Sequence, residues 1–186
     1  MERKCYLCGR NPKTTTMKRL LLSCLAAAIA MGSLAADGTQ NVNTQNTEQE
    51  ASGIEAPNFT LNDLEGKPLS LTSLRGKYVI LDFWGAWCIW CIRGIPKMKE
   101  YYDKYQGKFE ILGIDCNDTD EKWREAVKKY ELPWLHVYNP RESSLLKDYG
   151  IQGFPTKIIV GPDGKMVKTI VGEDPEFYTV LDELFK

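Results

Sequence analysis

The stretch that decides the fold runs from Tyr78 to Cys91 and reads Y-V-I-L-D-F-W-G-A-W-C-I-W-C. Residues 78–84 form an apolar run typical of a buried strand, and the pattern after the cysteines is typical of a helix. This order places Cys88 at a helix N-terminus, where unpaired N–H groups and aligned peptide dipoles favour negative charge. A thiol there loses its proton more easily and becomes a nucleophile. Cys91, three residues on, is within reach to close a disulfide, so the segment predicts a unit for thiol–disulfide exchange.

The flanking sequence completes an α/β pattern. Alternating residues at 59–61 and 69–71 predict a hairpin across Glu65-Gly66-Lys67. Further strands are predicted at 109–115, 135–138, 156–160 and 166–171, and helices at 88–105, around 123–130, around 145–149 and from Asp174-Pro175 to the C-terminus. The resulting order, β-α-β-α-β followed by β-β-α, predicts a mixed sheet with helices on both faces.

Residues 82–91 resemble the active-site segment of the thioredoxin superfamily, and residues 56–186 resemble its TlpA/ResA-like branch. The resemblance implies a thioredoxin fold with an N-terminal β-hairpin, and a redox-active disulfide with no bound cofactor. Cys88 is then the nucleophile, partly exposed, and Cys91 is the more buried resolving thiol that releases the product. A structural disulfide or half of a metal site is the alternative.

Asp82 is the third candidate catalytic residue. It ends an apolar run, so its carboxyl is expected to be buried behind the cysteines with a raised pKa. In thioredoxin-like proteins an aspartate at the matching position has a proposed role as proton acceptor for the resolving thiol, here Cys91. The alternative is a strand-end carboxylate that reaches solvent.

The client-binding surface is expected to include the loop Gly153-Phe154-Pro155-Thr156. The resemblance implies a cis peptide bond before Pro155, packed against the two cysteines. A loop there offers backbone groups to an extended client segment. The candidate client-binding residues are Trp87, Ile89, Trp90, Phe154 and Pro155.

Two positions depart from the family pattern. Ile89-Trp90 stands between the cysteines, where many relatives carry Gly-Pro or a polar residue and proline, and this dipeptide influences the redox potential. ResA-like proteins also often carry a glutamate two residues before the proline of the first helix, where this chain has Gly94. The sequence therefore leaves the direction of electron flow open and makes Asp82 the only nearby candidate for proton transfer.

The N-terminal third is expected to lie outside the fold. Lys18-Arg19, an apolar stretch and small residues at 32–36 have the pattern of a secretory signal peptide. The predicted organisation is a leader at 1–36, with translation starting at Met1 or Met17, a polar linker at 37–55 and a thioredoxin-like domain at 56–186. Export to the periplasm follows from this interpretation, with an uncleaved membrane anchor as the alternative.

Composition narrows the function classes. The 186-residue chain has a net charge of −1, and removal of the basic leader leaves an acidic body, which argues against a nucleic-acid partner. Of six cysteines, the mature chain would keep Cys88, Cys91 and Cys116, which is not the framework of a disulfide-rich scaffold. We expect Cys116 to be a buried, inert thiol and His136 to be a packing residue.

These observations predict an exported thiol-disulfide oxidoreductase that reduces disulfides of periplasmic client proteins. By resemblance, a membrane thiol donor supplies the electrons and apocytochrome c is one client; a monomer is expected. An oxidant or isomerase, or a Cu(I)-binding module that uses the same two cysteines, is the alternative. A peroxiredoxin-type peroxidase is disfavoured, because Gly85-Ala86-Trp87 precedes Cys88 where that class has a P-x-x-x-T-x-x-C pattern.

Overall fold

The computed structural model describes residues 53–186, so the predicted leader and most of the predicted linker lie outside the described residues. Seven strands form one mixed sheet in the order β2-β1-β5-β4-β3-β6-β7. The strands are β1 (Thr60–Asp63), β2 (Pro68–Ser70), β3 (Tyr78–Trp84), β4 (Phe109–Asp115), β5 (Leu135–Tyr138), β6 (Thr156–Val160) and β7 (Met166–Val171). The helices are α1 (Ile89–Lys104), α2 (Asp120–Lys129), α3 (Leu145–Asp148) and α4 (Glu176–Phe185), and a 3₁₀ turn spans Leu71–Leu74.

Strand β3 occupies the interior of the sheet and leads directly into the two cysteines. It runs parallel to β4 and antiparallel to β6, and all of its residues after Tyr78 are buried. A strand that is covered on both faces reads as a continuous apolar run, which is why 78–84 could be recognised from the sequence. The carboxyl end of β3 delivers Cys88 to one edge of the sheet.

The two faces of the sheet carry different cores. Alternate residues of β3 such as Ile80 and Trp84 pack with α1, α2 and α4 in a core rich in aromatic side chains. The residues between them, such as Leu81 and Phe83, pack with the 3₁₀ turn and α3 in a mostly aliphatic core. Asp82 points to the aromatic face, because side chains alternate along a strand. The predicted mixed sheet with helices on both faces is confirmed.

Two helix starts refine the sequence-based boundaries. Thr119 is the N-cap of α2, and its side chain accepts a hydrogen bond from Lys122 N–H. Helix α4 begins at Glu176, with Pro175 as its N-cap and not as its first helical residue. The predicted cap Asp174 still acts there, since its Oδ1 accepts the Glu176 N–H at 2.8 Å. The difference is one residue, within the usual fraying of helix ends.

The domain has contacts upstream of the boundary predicted at Ala56. Gly53 N–H donates to the Met166 carbonyl at 2.9 Å, and Glu55 forms a β-bridge with Lys165. Glu55 also makes an ion pair with Arg75. The predicted linker therefore ends in residues that already pair with the β6–β7 turn. Across residues 53–186, none of the helices has the length and apolarity that a bilayer crossing requires.

Candidate active site

A disulfide joins Cys88 and Cys91 at the start of α1. Cys88 is the N-cap residue, and its Sγ accepts a hydrogen bond from Cys91 N–H at 3.1 Å. The first turn of α1 holds no acidic residue that would oppose a negative charge on this sulfur. The helix N-terminus and the Cys91 N–H therefore both stabilise a Cys88 thiolate once the disulfide is reduced.

The two cysteines are equally buried in the disulfide form. Each leaves 5% of its surface exposed, so the expectation that Cys88 is partly exposed and Cys91 more buried is wrong for this state. Cys88 is buried in this state because its sulfur is bonded to Cys91 and lies against the first turn of α1, where it accepts the Cys91 N–H. The accessible surface at the site belongs instead to the neighbouring side chains.

The loop that precedes Cys88 is fastened to the ends of β3 and β4. Asp118 Oδ2 accepts the Ala86 N–H at 2.6 Å, and Trp87 Nε1 donates to the Cys116 carbonyl at 2.8 Å. Gly85 is required here, because a Cβ at this position would lie 2.5 Å from Trp87 Nε1. These contacts fix the direction in which the chain enters α1, and therefore the position of Cys88.

An apolar rim surrounds the disulfide, formed by Trp87, Ile89, Trp90 and Phe154. Trp87, Ile89 and Trp90 are each more than half exposed. Phe154 is partly buried, and its ring contacts Trp87 edge to face with centroids 5.2 Å apart. Large apolar side chains held in water next to a reactive group are typical of a surface that binds a partner. Three of the five candidate client-binding residues are thus exposed beside the cysteines, and a fourth, Phe154, contacts one of them, Trp87.

Pro155, the fifth candidate, is placed differently. The Phe154–Pro155 peptide bond is cis, as the resemblance implied, but Pro155 is buried and its carbonyl accepts the Gly172 N–H at 2.7 Å. Within residues 53–186, the backbone N–H and carbonyl of Phe154 make no hydrogen bond. The unpaired backbone groups of this loop are therefore those of Phe154, while Pro155 anchors the loop to the end of β7.

Asp82 is buried beneath α1, as predicted, with 6% of its surface exposed. Burial raises its pKa to about 6, the positive charge of Lys157 opposes this shift, and the negative charge of Glu173 adds to it. Among residues 53–186, no group hydrogen-bonds its Oδ1 atom. A carboxyl that titrates near neutral pH and has an unpartnered oxygen is suited to take up and return a proton.

Sequence reasoning missed two charged residues at this site, Lys157 and Glu173. Lys157 lies directly opposite Asp82 in the β3–β6 register and is only 1% exposed. Its Nζ makes an ion pair of 2.8 Å with Glu173 Oε2. Asp82 is thus not the only nearby acid. The sequence does indicate an unusual lysine, since Lys157 directly precedes the apolar run Ile158-Ile159-Val160 of the same predicted strand, at a position where a buried residue is expected.

Cys116 and His136, the other two residues considered in the sequence analysis, are packing residues. Cys116 is fully buried, and burial raises the pKa of its thiol, which keeps it protonated and unreactive. His136 is buried between the rings of Trp84 and Trp134, and burial lowers its pKa to about 4. Within the part of the chain that the structure describes, no cluster of three or more metal-ligating side chains is present.

Comparison with known proteins agrees with this geometry. Residues 52–169 match the AhpC/TSA family. The chain is 37% identical over 156 residues to the thiol-disulfide oxidoreductase ResA of Bacillus thuringiensis, covering 83% of this chain and 89% of the relative. It is 41% identical over 122 residues to ResA of Bacillus cereus, covering 65% of this chain and 70% of the relative. The crystal structure of the thioredoxin domain of a Bacteroides vulgatus thiol-disulfide oxidoreductase superposes with a TM-score of 0.67 at 31% identity, covering 73% of this chain and 98% of that one.

The chain therefore belongs to the AhpC/TSA family within the thioredoxin superfamily. Within that class it is a thiol-disulfide oxidoreductase of the ResA-like kind, and the Cys88–Cys91 disulfide supplies the matching chemical group.

Proposed function

We propose that this oxidoreductase works as an exported protein-disulfide reductase. The observation that carries the proposal is the two-sided setting of the disulfide. On one side, exposed apolar side chains adjoin the two cysteines; on the other, the sheet face that packs with α1 carries the buried carboxyl of Asp82, whose Oδ1 has no hydrogen-bond partner among residues 53–186. An extended client segment fits the first side, and the second side suits a step in which a thiol loses its proton.

The reaction begins from the reduced enzyme. The Cys88 thiolate attacks one sulfur of a client disulfide, so that a Cys88–client bond forms and the client S–S bond breaks. The first client sulfur leaves as a thiolate and takes a proton from water. Cys91 then passes its proton to Asp82, and its thiolate attacks the Cys88 sulfur. The Cys88–Cys91 disulfide forms, the second client thiolate leaves, and the client has gained two electrons.

Client binding is proposed to combine apolar and backbone contacts. The rings of Trp87, Trp90 and Phe154 offer apolar area around the sulfur that reacts. The free N–H and carbonyl of Phe154 suit pairing with an extended backbone, as in strand addition. This recognition does not depend on a particular client sequence, which fits a reductase that serves several exported proteins, apocytochrome c among the candidates. No nucleic-acid partner is expected, and the enzyme is proposed to act as a monomer.

Export and reduction are linked in this proposal. The apolar leader pattern directs the domain to the periplasm, with an uncleaved anchor as the alternative form. Each turnover leaves Cys88 and Cys91 oxidised, so a thiol donor must reduce them again. In an oxidising compartment that donor is proposed to be a membrane protein that passes on cytoplasmic electrons. No metal or other cofactor enters the cycle.

The test uses the purified full-length protein and reduction of insulin by dithiothreitol. Cys88→Ala is expected to abolish the accelerated reduction, because the attacking sulfur is gone. Cys91→Ala is expected to accumulate mixed disulfides with the client, seen as slower bands on a non-reducing gel. Cys116→Ala is the matched control and should retain activity, since that thiol is buried and protonated. Full activity in either of the first two variants would contradict the proposal.

The second candidate, a disulfide oxidant or isomerase, is favoured by one observation. The N-terminus of α1 stabilises a Cys88 thiolate with no acid in the first turn, and a stabilised thiolate makes the disulfide more oxidising. The redox potential of the pair separates the two. A value near that of thioredoxin, about −270 mV, fits a reductase, and one near about −120 mV fits an oxidant. Equilibration with thiol buffers and tryptophan emission provide the measurement.

A further inference from the structure

A largely buried cluster of polar and charged side chains, Asp82, Lys157, Glu173 and Tyr178, lies on the sheet face that packs with α1. The antiparallel register of β3 and β6 sets Asp82 and Lys157 side by side. Lys157 is almost fully buried, with its Nζ 5.5 Å from the centre of the Phe177 ring. A buried ammonium group is costly unless an opposite charge compensates it, so its partners are of interest.

Glu173 is held from three elements at once. One oxygen, Oε2, pairs with Lys157 on β6 at 2.8 Å, and the other, Oε1, accepts the Tyr178 hydroxyl of α4 at 2.8 Å. The carboxylate also lies against Gly94 of α1, where a Cβ would be 2.7 Å from Oε1 and closer still to Oε2. The helix that carries Cys91 therefore rests on this carboxylate, and only glycine at position 94 leaves it room.

Lys157 and Glu173 act on Asp82 with opposite sign. The ammonium favours an ionised Asp82 and the carboxylate opposes it, and both effects are strengthened because the cluster is buried. The other titratable groups that interact with Asp82 are Cys116, which follows β4, and Tyr178 on α4. Burial raises the pKa of both Cys116 and Tyr178, so these two stay neutral at physiological pH. The Lys157–Glu173 pair is then the charged neighbour that matters.

We propose that Lys157 and Glu173 are positioning residues of the exchange reaction, a balanced ion pair that keeps Asp82 able to accept the Cys91 proton and to give it back. The proposal deepens the proposed function and rests on the role of Asp82 given there. Loss of Glu173 would favour the ionised form of Asp82, and loss of Lys157 would favour its protonated form. The pair keeps both states accessible near neutral pH. Neither residue touches the reacting sulfurs, so both act through Asp82.

The test follows the Asp82 carboxyl by ¹³C NMR in the full-length protein, with the signal assigned through its loss in Asp82→Asn. Lys157→Met should raise the titration midpoint, and Glu173→Gln should lower it, each by about half a pH unit or more. Lys168→Met and Glu176→Gln each remove one partner of a more exposed ion pair, which joins β7 to α4, and serve as matched controls. The controls should leave the midpoint unchanged.

Opposite shifts support the proposal, because a purely structural role would move the midpoint in one direction or not at all. Shifts of the same sign, or none, overturn it. If Lys157→Met does not fold, Glu173→Gln decides alone, since the proposal requires a downward shift. The titration needs no client and no donor. Opposite shifts in a protein that does not reduce insulin would reject the proposed function but support the effect of the ion pair on Asp82. Normal insulin reduction without these shifts would support the proposed function and reject the role of the ion pair.

Discussion

Two aspartates are buried near the carboxyl ends of neighbouring parallel strands, and their comparison shows that burial alone does not make a carboxyl suitable for proton transfer. Asp82 on β3 and Asp115 on β4 point to the same face of the sheet and are both nearly inaccessible. Burial raises the pKa of Asp82 to about 6 and that of Asp115 to about 8, where the nearby negative charge of Asp118 adds to the effect. The larger shift thus belongs to Asp115, which is the farther of the two from the cysteines in sequence but lies level with Trp84 in the β3–β4 register.

The two carboxyls differ in the charged groups that surround them. Asp82 lies opposite the ion-paired Lys157 and beneath α1, which carries the disulfide. Within residues 53–186, no cationic side chain acts on Asp115, and its charged neighbour is the carboxylate of Asp118. A carboxyl with a pKa near 8 stays protonated at neutral pH and cannot act as a proton acceptor there. A strongly perturbed pKa marks a candidate site, and the charged neighbours decide whether the group can cycle.

The largest expected effect is on stability and does not separate the two acids. For each, the folded pKa exceeds the unfolded value of 3.8, so its contribution to stability is present below about pH 4 and is lost as pH rises through the folded pKa. Asp82→Asn should therefore gain stability relative to the unmodified protein as the pH rises from about 4, and the gain should reach on the order of 3 kcal/mol above about pH 6. Asp115→Asn should gain more, over a window that extends to about pH 8. Urea unfolding at several pH values measures both, and a relative loss on raising the pH would contradict the assignment.

The next largest effect is on the rate of client release, and it distinguishes Asp82 from Asp115. Asp82→Asn should slow the release step, in which Cys91 attacks the mixed disulfide, by roughly 10- to 100-fold at pH 7, because the proton acceptor is removed. Asp115→Asn is the matched control and should change this rate less than twofold. Single-turnover release of a labelled peptide from Cys88, followed by quenched flow, gives the rate. Equal slowing in both variants would assign the effect to general disturbance of the sheet.

The smallest effect concerns how firmly the Asp82 neighbourhood is held. An alanine in a helix is ordinarily about 1 kcal/mol more stable than a glycine. In Gly94→Ala the new methyl group would overlap the Glu173 carboxylate, so we expect a loss of about 1 kcal/mol instead. In the Glu173→Ala background the same change should become stabilising. Thermal unfolding of the four proteins forms the cycle, and additive changes would show that Glu173 moves aside freely.

Much of the fold was predictable because the interior strands are continuous apolar runs between turns. The predicted bounds of β3, β4, β5, β6 and β7 coincide with those observed. The hairpin of β1 and β2 followed from alternation. These signals are local, and each element needs only its own residues to be recognised.

The site was predictable only where its residues are close in sequence or match a known pattern. Cys88, Cys91 and Asp82 lie within ten residues of one another. Glu173 reaches the site through three-dimensional packing over Gly94, which no local pattern reports. The burial of Cys88 was misjudged because the sequence does not show how the bonded sulfur turns onto the helix.

The chain enters the domain at the end of the sheet opposite the disulfide. Residues 53–56 pair with the β6–β7 turn, beside the start of β3, whereas Cys88 follows the end of this seven-residue strand, about 20 Å away. A pull exerted through any upstream segment would thus load the hydrogen bonds of Gly53 and Ala56 with that turn, and not the strand that positions the cysteines. The reactive end of the sheet and the first described residues therefore lie at opposite ends of β3, and force applied at residue 53 would reach the β6–β7 turn before it reached the cysteines.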